Sequence, residues 1–211
     1  MAEDELYPTP DEYDDHTMKE SPTYTPPKVW QWNQDEENRF SKINRPFAGP
    51  THEKDLPVGE HPLQLYSLAT PNGVKVTVML EELLALGIEE AEYDAWLITI
   101  REGEQFGSGF VGINPNSKIP ALMDYSTKTP TRVFESGAIL IYLGEKSGRF
   151  YDKKHRNVIN QWLMGQMAYV GPMLGQHHQF HHYNPGKSEF GENRYFKISE
   201  RIYGELNERL S

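Results

Sequence analysis

Apolar positions along this chain fall into short periodic blocks separated by glycine- and proline-rich joints. Leu63-Gln-Leu-Tyr-Ser-Leu68 alternates and predicts a strand. Thr70-Pro-Asn-Gly73 is turn chemistry, with Pro71 placed to open a helix. Val74 to Leu86 repeats at helical spacing, and Gly87 stands where such a helix stops. Ala91 to Ile100 predicts a second strand, and 102–112 a short, glycine-interrupted helix or loop. Strands follow at 119–125 and 131–134, with turn residues between them, then a helix over 136–146 that ends near Gly148. The order β-α-β-α-β-β-α over 63–147 predicts a sheet with helices on its faces. Beyond it, 155–175 and 189–210 predict two helices joined by a linker containing His and Gly. Met164, Met167, Leu174, Ile198, Ile202 and Leu206 are their core positions. Two helices rarely close a core alone, so apolar faces are expected to stay uncovered.

The flanks differ in composition. Residues 28–60 set Trp30, Trp32, Phe40, Ile43 and Phe47 among prolines, which predicts an ordered arm along a core, with the two tryptophans as packing anchors. Residues 1–27 are acidic, rich in Pro, Tyr and Thr, and without period, which predicts a disordered tail. The expected organisation is therefore a tail over 1–27, an arm over 28–60, a sheet domain over 61–149 and a partial helical domain over 150–211.

Charge narrows the function classes. The net charge is -10, and residues 1–20 carry eight acids against Lys19, so the body is close to neutral. No basic field suits nucleic acid or an anionic membrane surface. No run is long and apolar enough to span a bilayer, and no basic and apolar leader opens the chain. A soluble protein that is not exported is expected. The chain has no cysteine, which excludes structural disulfides, thiolate nucleophiles and zinc–thiolate sites. Thiol chemistry here requires a sulfur carried by a small molecule.

Two motifs carry candidate chemistry. Asn114-Pro-Asn-Ser-Lys-Ile-Pro120 places an Ile-Pro bond ahead of an apolar run, a setting for a cis proline in a positioned turn. Phe134-Glu-Ser-Gly137 marks a strand giving way to a helix, where a serine hydroxyl and free N–H groups make a carboxylate site. Together they suit a small peptide-like ligand. His177, His178, His181 and His182 form two i,i+4 pairs if helical, formally a metal-ligand spacing. Without an acidic or cysteine partner they read better as a polar helix end.

These words in combination resemble the nu-class glutathione transferases, the glutathione-dependent disulfide-bond oxidoreductases. The matching stretches include Thr70-Pro-Asn-Gly73, Val78-Met-Leu-Glu-Glu82, Glu92-Tyr-Asp-Ala-Trp-Leu97, Gln105-Phe106, Asn114 to Ala121, Phe134 to Ala138, Gly171-Pro-Met-Leu-Gly175 and Asn193-Arg-Tyr195. The arm word Ile43-Asn-Arg-Pro46 is similar too. The resemblance implies an α/β thioredoxin-like domain followed by an incomplete all-α domain, cytoplasmic residence and a homodimer. It implies one or two bound glutathione molecules, or glutathione disulfide, in a groove between the domains. By the same resemblance Thr70, Pro71 and Asn72 face the glutathione sulfur, with Thr70 and Asn72 catalytic. Ile119 pairs with the cysteinyl backbone, and Glu135 and Ser136 take the γ-glutamyl ammonium and carboxylate. Asn44, Gln105, Gln166 and Arg194 complete the contacts. The implied reaction is reduction of small-molecule disulfides, with weak transfer to electrophiles or peroxide reduction beside it. A glutathione-binding regulator that keeps the fold without the chemistry is the alternative.

Overall fold

A computed structural model describes residues 25, 27–33 and 40–211. They fall into two units, one within 1–35 and the other spanning 36–211. All but Thr25 and Pro27 of the expected acidic tail lies outside the described residues. In the first unit Trp30 is 65% exposed, against the anchoring role expected of it.

The second unit is built on four strands, β1 (Leu63–Ser67), β2 (Tyr93–Leu97), β3 (Ala121–Asp124) and β4 (Thr131–Phe134), which form one sheet in the order β2-β1-β3-β4. β1 runs parallel to β2, with Leu63 opposite Tyr93, and antiparallel to β3, with Leu63 opposite Asp124. β4 returns antiparallel to β3, with Ala121 opposite Phe134. Every residue of the central β1 is buried, because both faces of the sheet are covered. Leu63 and Leu65 pack with Val76, Leu80 and Leu83 of α1 (Pro71–Ala85) and Ile139 and Leu143 of α3 (Ser136–Ser147). Tyr66 points to the opposite face and packs with Phe110 and Ile113 of α2 (Ser108–Ile113).

α1 shows how local sequence sets this geometry. Thr70 caps it, its hydroxyl accepting from Gly73 N–H at 3.3 Å, and Pro71 begins the helix, where a missing donor does no harm. Gly73, Val76, Leu80 and Leu83 then recur at helical spacing on the buried side. Gly73 lies against the chain leaving β1: a Cβ there would stand 2.1 Å from Leu68 O. Gly87, at φ +75, ends the run.

Residues 40–60 are stitched to the segment between β2 and β3 and, at their end, to β1. Thr51 N–H donates to Phe106 O, Ser108 N–H to His52 O and Gly109 N–H to Lys54 O, each at 2.9 Å. Gln64, fully buried on β1, binds the arm from below: its oxygen accepts from Gly59 N–H at 2.8 Å, and its amide donates to His61 O at 2.6 Å.

The helical segment departs from the sequence reading. α4 (Arg156–Gly165) runs through a π turn (Gln166–Val170) into α5 (Gly171–His178) and a second π turn (Gln179–Tyr183). The four histidines are therefore helical, and the expected linker shrinks to 184–188. Pro172 has no N–H to give, and the wide turn before it absorbs the missing bond. α6 (Glu189–Leu210) is capped by Ser188, whose hydroxyl accepts from Gly191 N–H at 3.1 Å. Of the six positions expected to form this segment's core, only Ile202 is buried, and Met164 is 50% exposed. Val158, Trp162, Phe190, Phe196 and Tyr203 are exposed as well. Among the described residues no helix is long and apolar enough to cross a membrane.

Candidate functional site

Two turns build the floor of the site. Asn114 is buried and organises the first: its amide donates to Lys118 O at 2.6 Å and its oxygen accepts from Asn116 N–H at 2.9 Å. That turn delivers Ile119 into the cis Ile119-Pro120 bond at the head of β3. β4 ends beside it, since Phe134 pairs with Ala121. The next residue, Glu135, sits at φ +70, an uncommon position for a residue with a side chain, and α3 begins at Ser136. No side chain caps α3, so its first N–H groups stay open to an anion.

These turns converge on a cavity of about 160 Å³ lined by Asn72, Asn114, Lys118, Ile119, Glu135 and Ser136, among others. Asn72 also borders a wider cavity of about 780 Å³, together with Pro71 and Gln166. The sequence-predicted residues Ile119, Glu135 and Ser136 thus line the inner cavity, Pro71 and Gln166 the wider one, and Asn72 both.

Behind Asn72, Ser136 and Gln166, and lining neither cavity, stands a residue that sequence reasoning missed. Lys75, one turn along α1 from Asn72, donates to Asn72 Oδ1 at 2.8 Å, to Gln166 Oε1 at 2.8 Å and to Ser136 Oγ at 3.3 Å. Met167 Sδ lies 3.7 Å away. Burial pushes the Lys75 ammonium below its ordinary pKa, and nearby Glu135 opposes that shift. Its i+3 spacing from Asn72 was the one available signal.

Lys118 was also missed. It borders the inner cavity and a third one of about 230 Å³, which is lined by Asn44, Arg45, Phe47, Phe106 and their neighbours. Its ammonium bonds the Asn44 side chain, and burial lowers its pKa. Asn44 therefore reaches the edge of the cleft through Lys118. Gln105 does not face the cleft: it is buried beneath the arm, its amide donating to Lys42 O and Ile43 O at 3.3 Å and Ile100 O at 3.2 Å. Thr70 stands at the α1 cap, with its hydroxyl proton uncommitted by the bond from Gly73. Arg194 is exposed on α6, its guanidinium 5.9 Å from the Tyr195 ring centre, and borders none of these cavities.

The wider cavity is walled by His177, His178, Tyr183, Phe196 and Tyr203, with Glu200 as its one acid. Burial and then the neighbouring histidines lower the pKa of His178, so its neutral form is favoured. Among the described residues no group of three or more His, Asp or Glu side chains could hold a metal ion.

A thioredoxin-like sheet with a helical layer behind it, enclosing a donor-rich cleft, defines the class of protein. Residues 61–145 match the N-terminal domain of glutathione S-transferases. The chain is 54% identical over 194 residues to the disulfide-bond oxidoreductase YghU of Escherichia coli, spanning 90% of this chain and 66% of that protein. Its structure is similar to that of the glutathione transferase YghU from Streptococcus pneumoniae in complex with glutathione. That match has a TM-score of 0.84 and 46% identity over 89% of this chain and 73% of the other. A glutathione transferase from Pseudomonas putida, with one glutathione disulfide bound per subunit, matches with a TM-score of 0.65 and 41% identity, covering 71% of this chain and 65% of that one. The chain belongs to the glutathione transferase family, and it spans about two thirds of the length of the relatives it matches.

Proposed function

We propose that this protein is a glutathione-dependent disulfide reductase. The observation that carries the reading is Asn72, which stands at the start of α1 and borders both the inner cavity and the wider one. A chain with no cysteine must take its reacting sulfur from its substrate, and a sulfur at Asn72 would lie between the two compartments.

In this reading Ile119, Glu135 and Ser136 hold the tripeptide in the inner cavity, Glu135 on its ammonium and Ser136 on the adjacent carboxylate. Asn72 and the free hydroxyl proton of Thr70 donate to the thiolate, and the positive end of α1, opened by Pro71, favours that charge. Gln166 closes the cleft from the helical segment. Asn44 binds at the outer end, where Gln105 supports it by fixing the carbonyls of Lys42 and Ile43. Arg194 is the outermost contact, for a second carboxylate.

The sulfur chemistry runs in two exchanges. A bound glutathione thiolate attacks a disulfide RSSR, forming the mixed disulfide and releasing one thiolate, which takes a proton. A second glutathione thiolate attacks the mixed disulfide, giving glutathione disulfide and a second released thiol. Two glutathiones are oxidised for each disulfide reduced. The relatives that hold glutathione and glutathione disulfide support the same assignment here. Cytoplasmic residence and a homodimer belong to the proposal as well, and the exposed apolar residues of α4 and α6 support the second.

The test is a coupled assay of hydroxyethyl disulfide reduction with glutathione, beside calorimetric binding of glutathione disulfide. Turnover that falls about 10- to 100-fold in Asn72→Ala, as for a lost hydrogen bond to a charged atom, is the expected result. A folded protein that binds the disulfide without turnover would overturn the enzyme reading.

A further inference from the structure

Lys75 ties together three side chains of the cleft that come from three different elements. Asn72 is on α1, Ser136 opens α3, and Gln166 opens the π turn behind α4. Each of the three can either donate or accept. A lysine ammonium has three N–H donors and no acceptor, and here it meets three oxygens, at 2.8, 3.3 and 2.8 Å. The contact therefore fixes polarity. With Oδ1 turned to Lys75, Asn72 must present its NH2 to the cleft. With Oε1 taken, Gln166 presents its NH2. With its oxygen accepting, Ser136 turns its own proton to Met167 Sδ at 3.7 Å and away from the cleft.

We propose that Lys75 is a positioning residue that orients Asn72 and Gln166 as hydrogen-bond donors toward an anionic ligand, and so promotes ionisation of the thiol held at Asn72. This rests on the glutathione reading of the cleft. Without Lys75, each amide is free to rotate and offer its oxygen, which repels a thiolate or a carboxylate. The charged groups around Lys75 do not duplicate its role. Glu135, at the start of α3, is the acid that acts on it, while α1 and the π turn face it with neutral groups.

The experiment is a pH titration of glutathione bound to the whole chain, read by thiolate ultraviolet absorbance, with turnover measured on the same samples. Wild type, Lys75→Met, Lys75→Arg, Asn72→Ala and the double variant Lys75→Met/Asn72→Ala are compared. The expected result is a bound thiol in wild type that ionises below free glutathione. In Lys75→Met it should shift back by about one pH unit, with kcat falling about tenfold. Lys75→Arg, which keeps donors only, should recover part of the loss and stands in if the Met variant fails to fold. Because Lys75 acts through Asn72, the double variant should be little worse than Asn72→Ala alone. Additive losses, or an unchanged titration in Lys75→Met, would overturn this inference and leave the reductase reading intact. A wild-type protein that shows neither bound thiolate nor turnover would overturn both.

Discussion

Lys75 Nζ lies 2.8 Å from Gln166 Oε1, a bond between residues 91 positions apart that joins the first helix of the sheet layer to the π turn of the helical segment. Gly137 makes the second seam there: a Cβ on it would come within 2.9 Å of Met167 Cγ. Gln166→Leu should keep the packing and remove the polar link. The expected outcome is a rise of about tenfold in KM for glutathione, as for one lost hydrogen bond to a charged group, with a small loss of stability. Steady-state kinetics beside thermal unfolding checks it.

Gly73 should tolerate no side chain. An alanine Cβ would meet Leu68 O at 2.1 Å and Ser67 Oγ at 2.5 Å, and the first of these is backbone that cannot step aside. Gly73→Ala is expected to lower stability by about 2–3 kcal/mol and to disturb the α1 start that carries Asn72. Urea unfolding measures the first effect and glutathione affinity the second.

Asp124 is a buried carboxylate at the far end of the sheet, 2.8 Å from Lys146 Nζ, 2.6 Å from Tyr142 Oη and 2.7 Å from Ser126 N. Burial alone pushes its carboxyl up, and the bonds from Lys146, Ser126 and Tyr142 outweigh it, holding the pKa at about 2. A depressed acid contributes stability above its unfolded value of 3.8, and loses it as pH falls toward about 2. Asp124→Asn should cost about 3 kcal/mol at neutral pH, by leaving Lys146 without its counter-charge, and should flatten the acid limb. Unfolding curves between neutral pH and about pH 2 would show both.

The arm is held by a smaller cluster. Asp94 accepts from His61 N–H at 2.8 Å and from Gln64 Nε2 at 2.7 Å, which with the His61 ring bond keeps its carboxyl at about 2. The His61 pKa is raised, chiefly by its side-chain bond to Asp94. The His61 contribution is complete below 6.5 and fades as pH rises through its raised value, while the Asp94 contribution fades below 3.8. Cleavage of residues 40–60 by a protease active across this range should therefore be slowest between those limits. Gln64→Leu, which deletes the bonds to Gly59 and His61, should speed it at every pH.

Much of this was readable because it is local. The β1 alternation, the Thr70-Pro71 helix start and the two turns at Asn114–Pro120 and Phe134–Gly137 are written in consecutive residues, and the structure forms them there. Lys75 was not legible: its partners Ser136 and Gln166 lie 61 and 91 positions away, and only the fold brings them together. Gln105 was ambiguous for a different reason, since an amide beside glycines reads alike whether it faces a ligand or the underside of an arm. The helix expected over 155–175 forms with a π turn inside it, but its continuation to Tyr183 was hidden because the His-rich stretch after Gly175 carries no apolar period and reads as a linker. The open faces of Trp162 and Phe196 agree with the expectation that two helices leave apolar surface uncovered.

In the proposed function, a chain with no thiol of its own borrows one through its grip on the γ-glutamyl end of glutathione. Hydroxyethyl disulfide reduction driven by glutathione, against the same assay driven by cysteinylglycine, tests it directly. The second thiol keeps the sulfur and lacks the group that Glu135 and Ser136 would hold. A preference of about 100-fold for glutathione in kcat/KM is expected, as for two lost charge-assisted contacts. Equal rates with the two thiols would contradict it.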